Sequence, residues 1–259
     1  MPCGGRPPGV RVKDRIMARL FYNLGRRLGP KVRRARWVWQ SVFGSHDEML
    51  AAEAQVGADL ADEVRAQVAA EPSVEARDLL GDIGRQLTAQ LRDRQRRFHF
   101  GVVGGGEPNA FALPGGYIFL TRSIMDLCRW DRDELAFILA HEMAHVIKGH
   151  AMERIMTDSA IRFASRMTPL RGTLAAWLQR VGVQYLAGAY SRDLESEADR
   201  FATLLIIAAG FDPAAGGRLF ARLADLGREP GALGRYFASH PPFTERINRV
   251  RRVVETQAK

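Results

Sequence analysis

Few short patterns limit what a chain can fold into as tightly as two histidines four residues apart inside an apolar run. His141-Glu142-Met143-Ala144-His145 is such a pattern. Four residues make about one helical turn, so both imidazoles project from the same side of a helix and reach one small cation. Leu135, Phe137, Ile138, Leu139, Met143, Val146 and Ile147 make the segment apolar nearly all round, as in a helix at the centre of a domain. Asp131, with Glu134 three residues later, forms a capping-box start, and Gly149 marks the end. A glutamate and two histidines in so apolar a helix are costly unless they coordinate something. The pattern therefore predicts half of a zinc site, with Glu142 placed to take a proton from an activated water. Two hydrogen-bonded core histidines are the competing reading.

A hydrolytic zinc needs a third protein ligand. Ser191-Arg192-Asp193-Leu194-Glu195-Ser196-Glu197-Ala198-Asp199 opens another helix, with Ser191 as its cap. Glu195 and Asp199 are four apart and share a face, so one can bind zinc while the other holds a ligand histidine. Surface acids paired with arginines are the bland alternative, which the apolar run 202–209 weakens by implying burial. His150 comes five residues after His145, roughly 140° away on the helical wheel, and is not counted as a ligand. Pro241 and Pro242 hold His240 in an extended segment before the last helix, where its imidazole could face a cleft.

The rest reads as scaffold. An alanine-rich amphipathic helix spans 46–70, and Pro72 opens another that continues to about Arg94. Beyond Arg97 the period becomes two: Phe98, Phe100 and Val102 alternate with His99, Gly101 and Val103 in a strand that Gly104-Gly105-Gly106 ends. Asn109-Ala110-Phe111-Ala112-Leu113-Pro114-Gly115-Gly116-Tyr117 then continues to Thr121 as two short extended pieces joined by Pro-Gly-Gly, an expected edge ribbon. An extended peptide can add to such an edge as a further strand, although a purely structural hairpin fits the residues equally. Two helices are expected within 151–189, one near 212–226 and a last one after His240. The expected fold is α+β, mainly α-helical, with a small β-sheet or ribbon next to the metal-binding helix.

Charge divides the chain. Its pI is about 10.2, yet residues 1–45 hold eleven Lys or Arg against Asp14 alone, and the remainder holds 27 basic and 28 acidic residues. Ile16, Leu20, Leu24 and Leu28 recur every four residues in the first part of this arm, and Trp37, Trp39 and Phe43 stand in the second. Residues 1–45 are thus a basic amphipathic arm, and 46–259 the domain proper. The arm either packs on the domain or contacts an anionic membrane surface through residues 12–43. Mitochondrial targeting is a minor alternative. No reading motif accompanies the charge, so no nucleic acid is expected. Cys3 and Cys128 fit no metal or disulfide pattern. There is no secretory signal, and the longest apolar run, 201–211, is well short of the roughly 20 residues a spanning helix needs. These features predict a cytoplasmic or peripherally membrane-associated protein.

Taken together, four ordered motifs resemble the gluzincin family of zinc metallopeptidases that includes the CAAX prenyl endopeptidase, the bacterial heat-shock protease HtpX and the Oma-like proteases. They are Asn109-Ala110-Phe111-Ala112 with Pro114-Gly115-Gly116, His141-Glu142-Met143-Ala144-His145, Ser191-Arg192 with Glu195 and Asp199, and His240-Pro241-Pro242 with Arg246. The resemblance covers about residues 75–252 and implies a zincin-type domain. It further implies one zinc ion held by His141, His145 and Glu195, with Glu142 as general base and Asp199 orienting a ligand histidine. His240 and Arg246 would face the tetrahedral intermediate, and a histidine in that segment can also occupy the zinc of a resting enzyme. The ribbon residues Asn109, Ala110, Phe111, Ala112, Gly115 and Gly116 would bind substrate. Metzincins are excluded because Lys148 and Ala151 stand where they need Gly and His. The lack of spanning helices favours the soluble, Oma-like branch. The expected activity is zinc-dependent endopeptidase cleavage of peptide or unfolded protein, in protein quality control. The alternative is a catalytically silent, zinc-stabilised module on anionic membranes, against which an intact Glu142 speaks.

Overall fold

A computed structural model describes residues 45–68, 71, 73–104, 107–152, 190–226 and 243–257. The basic arm, His240 and the two helices expected within 151–189 lie outside the described residues, apart from the short helical turn at 150–152.

Helix α1 (His46–Gln67) opens with a full capping box: the Glu48 amide donates to Ser45 Oγ at 3.2 Å, and the Ser45 amide to Glu48 Oε2 at 3.0 Å. Helix α2 (Val74–Thr88) is capped by Ser73 and buries Ala76, Leu80, Ile83, Gly84 and Leu87, one stripe at helical spacing. It stops six residues before the expected end. Leu91 keeps the helical spacing of the stripe, four residues after Leu87, but the chain already turns through Gln90 and Leu91, whose amides donate to the Leu87 and Thr88 carbonyls.

The strands are β1 (His99–Val103), β2 (Ala110–Ala112) and β3 (Tyr117–Thr121), in the order β1-β3-β2. β3 is central, parallel to β1 with Phe100 opposite Ile118, and antiparallel to β2 with Phe111 opposite Phe119. Only β2 of the expected ribbon is therefore an edge. Alternation divides the side chains between two clusters. Val102, Ala110, Ala112, Ile118 and Leu120 join the core formed with α2 and the metal-motif helix, while Val103, Phe111, Leu113 and Phe119 pack against Val56, Leu60, Ala61 and Val64 of α1. The sheet is thus covered by helices on both faces.

The turn between β2 and β3 is a 3-10 piece, Pro114–Gly116, in which Gly115 (φ 71°) and Gly116 (φ 91°) occupy conformations that favour glycine. It sits against α1 so closely that a Cβ on Gly57 would lie 1.9 Å from the Pro114 carbonyl oxygen. Nearby, Glu53 of α1 accepts from Arg96 at 2.8 Å through each carboxylate oxygen and, more weakly, from the Gly115 amide at 3.4 Å.

After the short helix α3 (Arg122–Leu127), helix α4 (Arg132–Ile147) runs through the middle of the core, with every residue from Glu134 to Val146 buried. Asp131 caps it by accepting from the Asp133 and Glu134 amides, and Gly149 (φ 76°) follows its C-cap. The capping box expected here is only half made. Glu134 is fully buried and turns inward, accepting from Arg222 at 3.0 and 3.2 Å. A carboxylate at 0% exposure needs a charged partner more than the cap amide does. Helix α5 (Arg192–Ala208), capped by Ser191, packs along α4, and α6 (Ala215–Leu226) and α7 (Phe243–Gln257) complete the core.

Candidate metal centre

Two packed helices meet at the site. α4 contributes His141, Glu142 and His145 at 3%, 2% and 0% exposure; α5 contributes Glu195 and Asp199, each at 1%. The 3.6-residue period puts His141 and His145 one turn apart, and their Nε2 atoms are 3.1 Å from each other. Glu195 reaches both, with Oε1 3.4 Å from His145 Nε2 and Oε2 3.6 Å from His141 Nε2. One ligand atom from each of the three lies within 4.8 Å of the others. A tetrahedral ion with bonds of about 2.0–2.1 Å spaces its donors about 3.3 Å apart, so these separations fit one cation.

Glu142, Glu195 and Asp199 are all buried, and Arg246, 3% exposed, is in contact with Glu195 and Asp199.

Around the donors, His141 Nδ1 is 3.1 Å from Asp199 Oδ1, which leaves Nε2 for a metal. Burial would lower the pKa of His141, but the Asp199 hydrogen bond and the charge of Glu195 raise it. For Asp199, burial would raise the pKa; Arg246 and the His141 hydrogen bond outweigh it and hold the carboxyl below its ordinary range. Arg246 donates to Asp199 through Nε at 2.8 Å and Nη2 at 2.6 Å, has Nη1 3.0 Å from Glu195 Oε2, and lies over the Phe220 ring. Its guanidinium is engaged with the acids of α5, a set of partners that the expectation of a group facing the reacting carbonyl did not contain.

His145 Nδ1 is 3.0 Å from His150 Nδ1, and the ring of Tyr190 stacks on His145 with centroids 3.8 Å apart. Neither neighbour is legible in the sequence. His150 is indeed outside the donor group, but Gly149 ends the helix before it, so the helical wheel no longer describes its direction and it folds back onto His145. Burial pulls its pKa down to about 4 against the opposing charge of Glu197, so near neutral pH the ring is uncharged and can accept a hydrogen bond. Glu197, the other acid of the Glu-x-Glu pair, faces His150 and Lys148 rather than the donors.

The ribbon lies close to α4. Ala110, Phe111, Ala112 and Gly116 are buried and Gly115 is half-buried. The Asn109 backbone is paired with Thr121, whereas its buried Oδ1 has no hydrogen-bond partner among the described residues.

An imidazole pair one turn apart, a glutamate following the first imidazole, and a buried carboxylate from a second helix are the fold and donor set of a metalloprotease. The particular kind follows from comparison: the chain belongs to peptidase family M48, whose family model matches residues 77–254. The match begins inside α2, leaving α1 before it. Mitochondrial metalloendopeptidase OMA1 of Schizosaccharomyces pombe is 33% identical over 153 residues, covering 58% of this chain and 44% of that protein. A putative beta-barrel assembly-enhancing protease of Vibrio cholerae is 32% identical over 182 residues, covering 66% and 37%. Metalloprotease YcaL of Escherichia coli is 33% identical over 148 residues, covering 55% and 57%. The chain thus spans less than half the length of the first two relatives.

Proposed function

We propose that this chain is a zinc-dependent endopeptidase that cleaves peptide or unfolded protein substrates, in protein quality control. The observation that carries the reading is the convergence of His141, His145 and Glu195 on one point, with Glu142 on the same buried helix. His141, His145 and Glu195 would hold the ion, which lowers the pKa of water and polarises a peptide carbonyl. Glu142 takes the proton from the attacking water at its carboxylate and returns it to the departing amine. Asp199 keeps the proton of His141 on Nδ1, and Arg246 balances the charge of Asp199 and Glu195, so it serves the reaction through the ligand set. His240, outside the described residues, is assigned to the oxyanion. The substrate backbone lies along β2, with Asn109 Oδ1, which has no hydrogen-bond partner among the described residues, as an acceptor beside it.

Among the described residues no helix is long and apolar enough to cross a membrane. Residues 12–43 would supply peripheral contact with an anionic membrane. The test is casein cleavage with and without chelator, beside Glu142→Gln. The variant should keep zinc and lose turnover; cleavage that survives in it removes the base assignment, and wild type that retains zinc without cleaving anything supports the silent module.

A further inference from the structure

His145 is held on three sides. Its Nε2 faces His141 and Glu195, the Tyr190 ring covers one face, and Nδ1 meets Nδ1 of His150 at 3.0 Å. Two imidazole nitrogens at that separation share one proton and one lone pair. A ligand imidazole offers its Nε2 lone pair to the ion, so its proton sits on Nδ1, and His145 is the donor. His150 must then accept at Nδ1 and carry its own proton on Nε2. That nitrogen faces Glu197 Oε2 at 3.8 Å, and the other Glu197 oxygen is held by Lys148 at 2.6 Å.

We propose that His150 is a positioning residue, which fixes the tautomer and ring orientation of His145 for metal binding. The inference rests on the zinc reading above. It also makes the two ligand imidazoles unequal: His141 is backed by a carboxylate, Asp199, and His145 by a neutral ring with no charge of its own to add. Outer partners of ligand histidines typically govern about 10–100-fold in metal affinity.

The experiment is zinc affinity of the full chain by competition with a chromophoric chelator, for wild type, His150→Phe and His150→Asn. Phenylalanine keeps a ring but has no acceptor. Asparagine places Oδ1 near the lost Nδ1 and can accept. His150→Phe should bind zinc about 10–100-fold more weakly, with His150→Asn within about threefold of wild type. Equal affinity in all three overturns the proposal, as does an equal loss in both variants, which a packing role alone would give. A second measurement needs no variant: ¹⁵N shifts of the zinc-loaded wild type should show His145 protonated at Nδ1 and His150 at Nε2, and a His150 proton on Nδ1 overturns the assignment. Wild type that binds no zinc sinks the zinc reading together with this one, whereas tight zinc binding by wild type and His150→Phe alike sinks this one alone.

Discussion

Gly57→Ala and Gly81→Ala should change stability in opposite directions although both replace a helical glycine with the best helix former. In an open helix position that exchange stabilises by about 1 kcal/mol. At Gly81 the new methyl meets only the mobile end of Arg85, at 3.5 Å, so a gain of about 0.5–1 kcal/mol is expected. At Gly57 the methyl would lie 1.9 Å from the Pro114 carbonyl oxygen and 2.7 Å from its carbon. Backbone cannot rotate aside, so α1 must retreat by about 1.5 Å to restore ordinary contact. Overpacking of this kind costs about 1–3 kcal/mol, and a rigid partner puts it at or above the top of that range. Set against the propensity gain, the net loss is about 2 kcal/mol. The retreat also pulls Glu53, one turn earlier, off the Gly115 amide and loosens the turn joining β2 to β3. Urea unfolding of zinc-loaded protein should show the midpoint falling for Gly57→Ala and rising for Gly81→Ala at constant slope. In peptide cleavage, KM should rise in Gly57→Ala more than kcat falls. A Gly57→Ala midpoint equal to or above wild type refutes the close approach of α1 to the turn.

Glu195→Ala should abolish stoichiometric zinc uptake, measured by metal analysis after gel filtration, because two imidazoles alone leave the ion under-coordinated. Asp199 has a folded pKa below its ordinary 3.8, so the unfolded chain binds its proton more tightly. The stability it contributes is present above that value and is lost as pH falls through the depressed one. In metal-free protein, Asp199→Asn should therefore flatten the acid limb of an unfolding-against-pH curve below about pH 4. Cys128 is fully buried, and burial, reinforced by Glu134, pushes its thiol well up. In a Cys3→Ser background a thiol reagent should find no reactive group until denaturant is added.

The parts read correctly from sequence share a local cause. Caps, a continuous apolar helix and two acids four apart leave their marks within a few residues, so α4, α5 and the clustering of His141, His145 and Glu195 are visible before folding. What escaped depends on distant partners. Glu134 looked like a cap residue because Arg222, 88 positions away, is not in view. The ribbon looked two-stranded because its pairing with β1 is parallel and set by the tertiary fold. His150 lies beyond Gly149, where the helical wheel no longer gives direction, so its contact with His145 leaves no local mark, and Tyr190 carries no pattern at all. α2 reads as longer than it is because Leu91 keeps the apolar spacing beyond its last turn.

The covering of the sheet by α1 separates two boundaries that are easily confused, that of the family and that of the folding unit. Residue 77, where the family match begins, falls behind the helix that keeps Phe111, Leu113 and Phe119 dry. A chain trimmed to its recognisable kinship would present one side of its only described sheet naked to water, each large side chain forfeiting about 1.5–3 kcal/mol. Such a bared surface is a self-association hazard. Ancestry is legible from α2 onward; solubility starts a helix sooner.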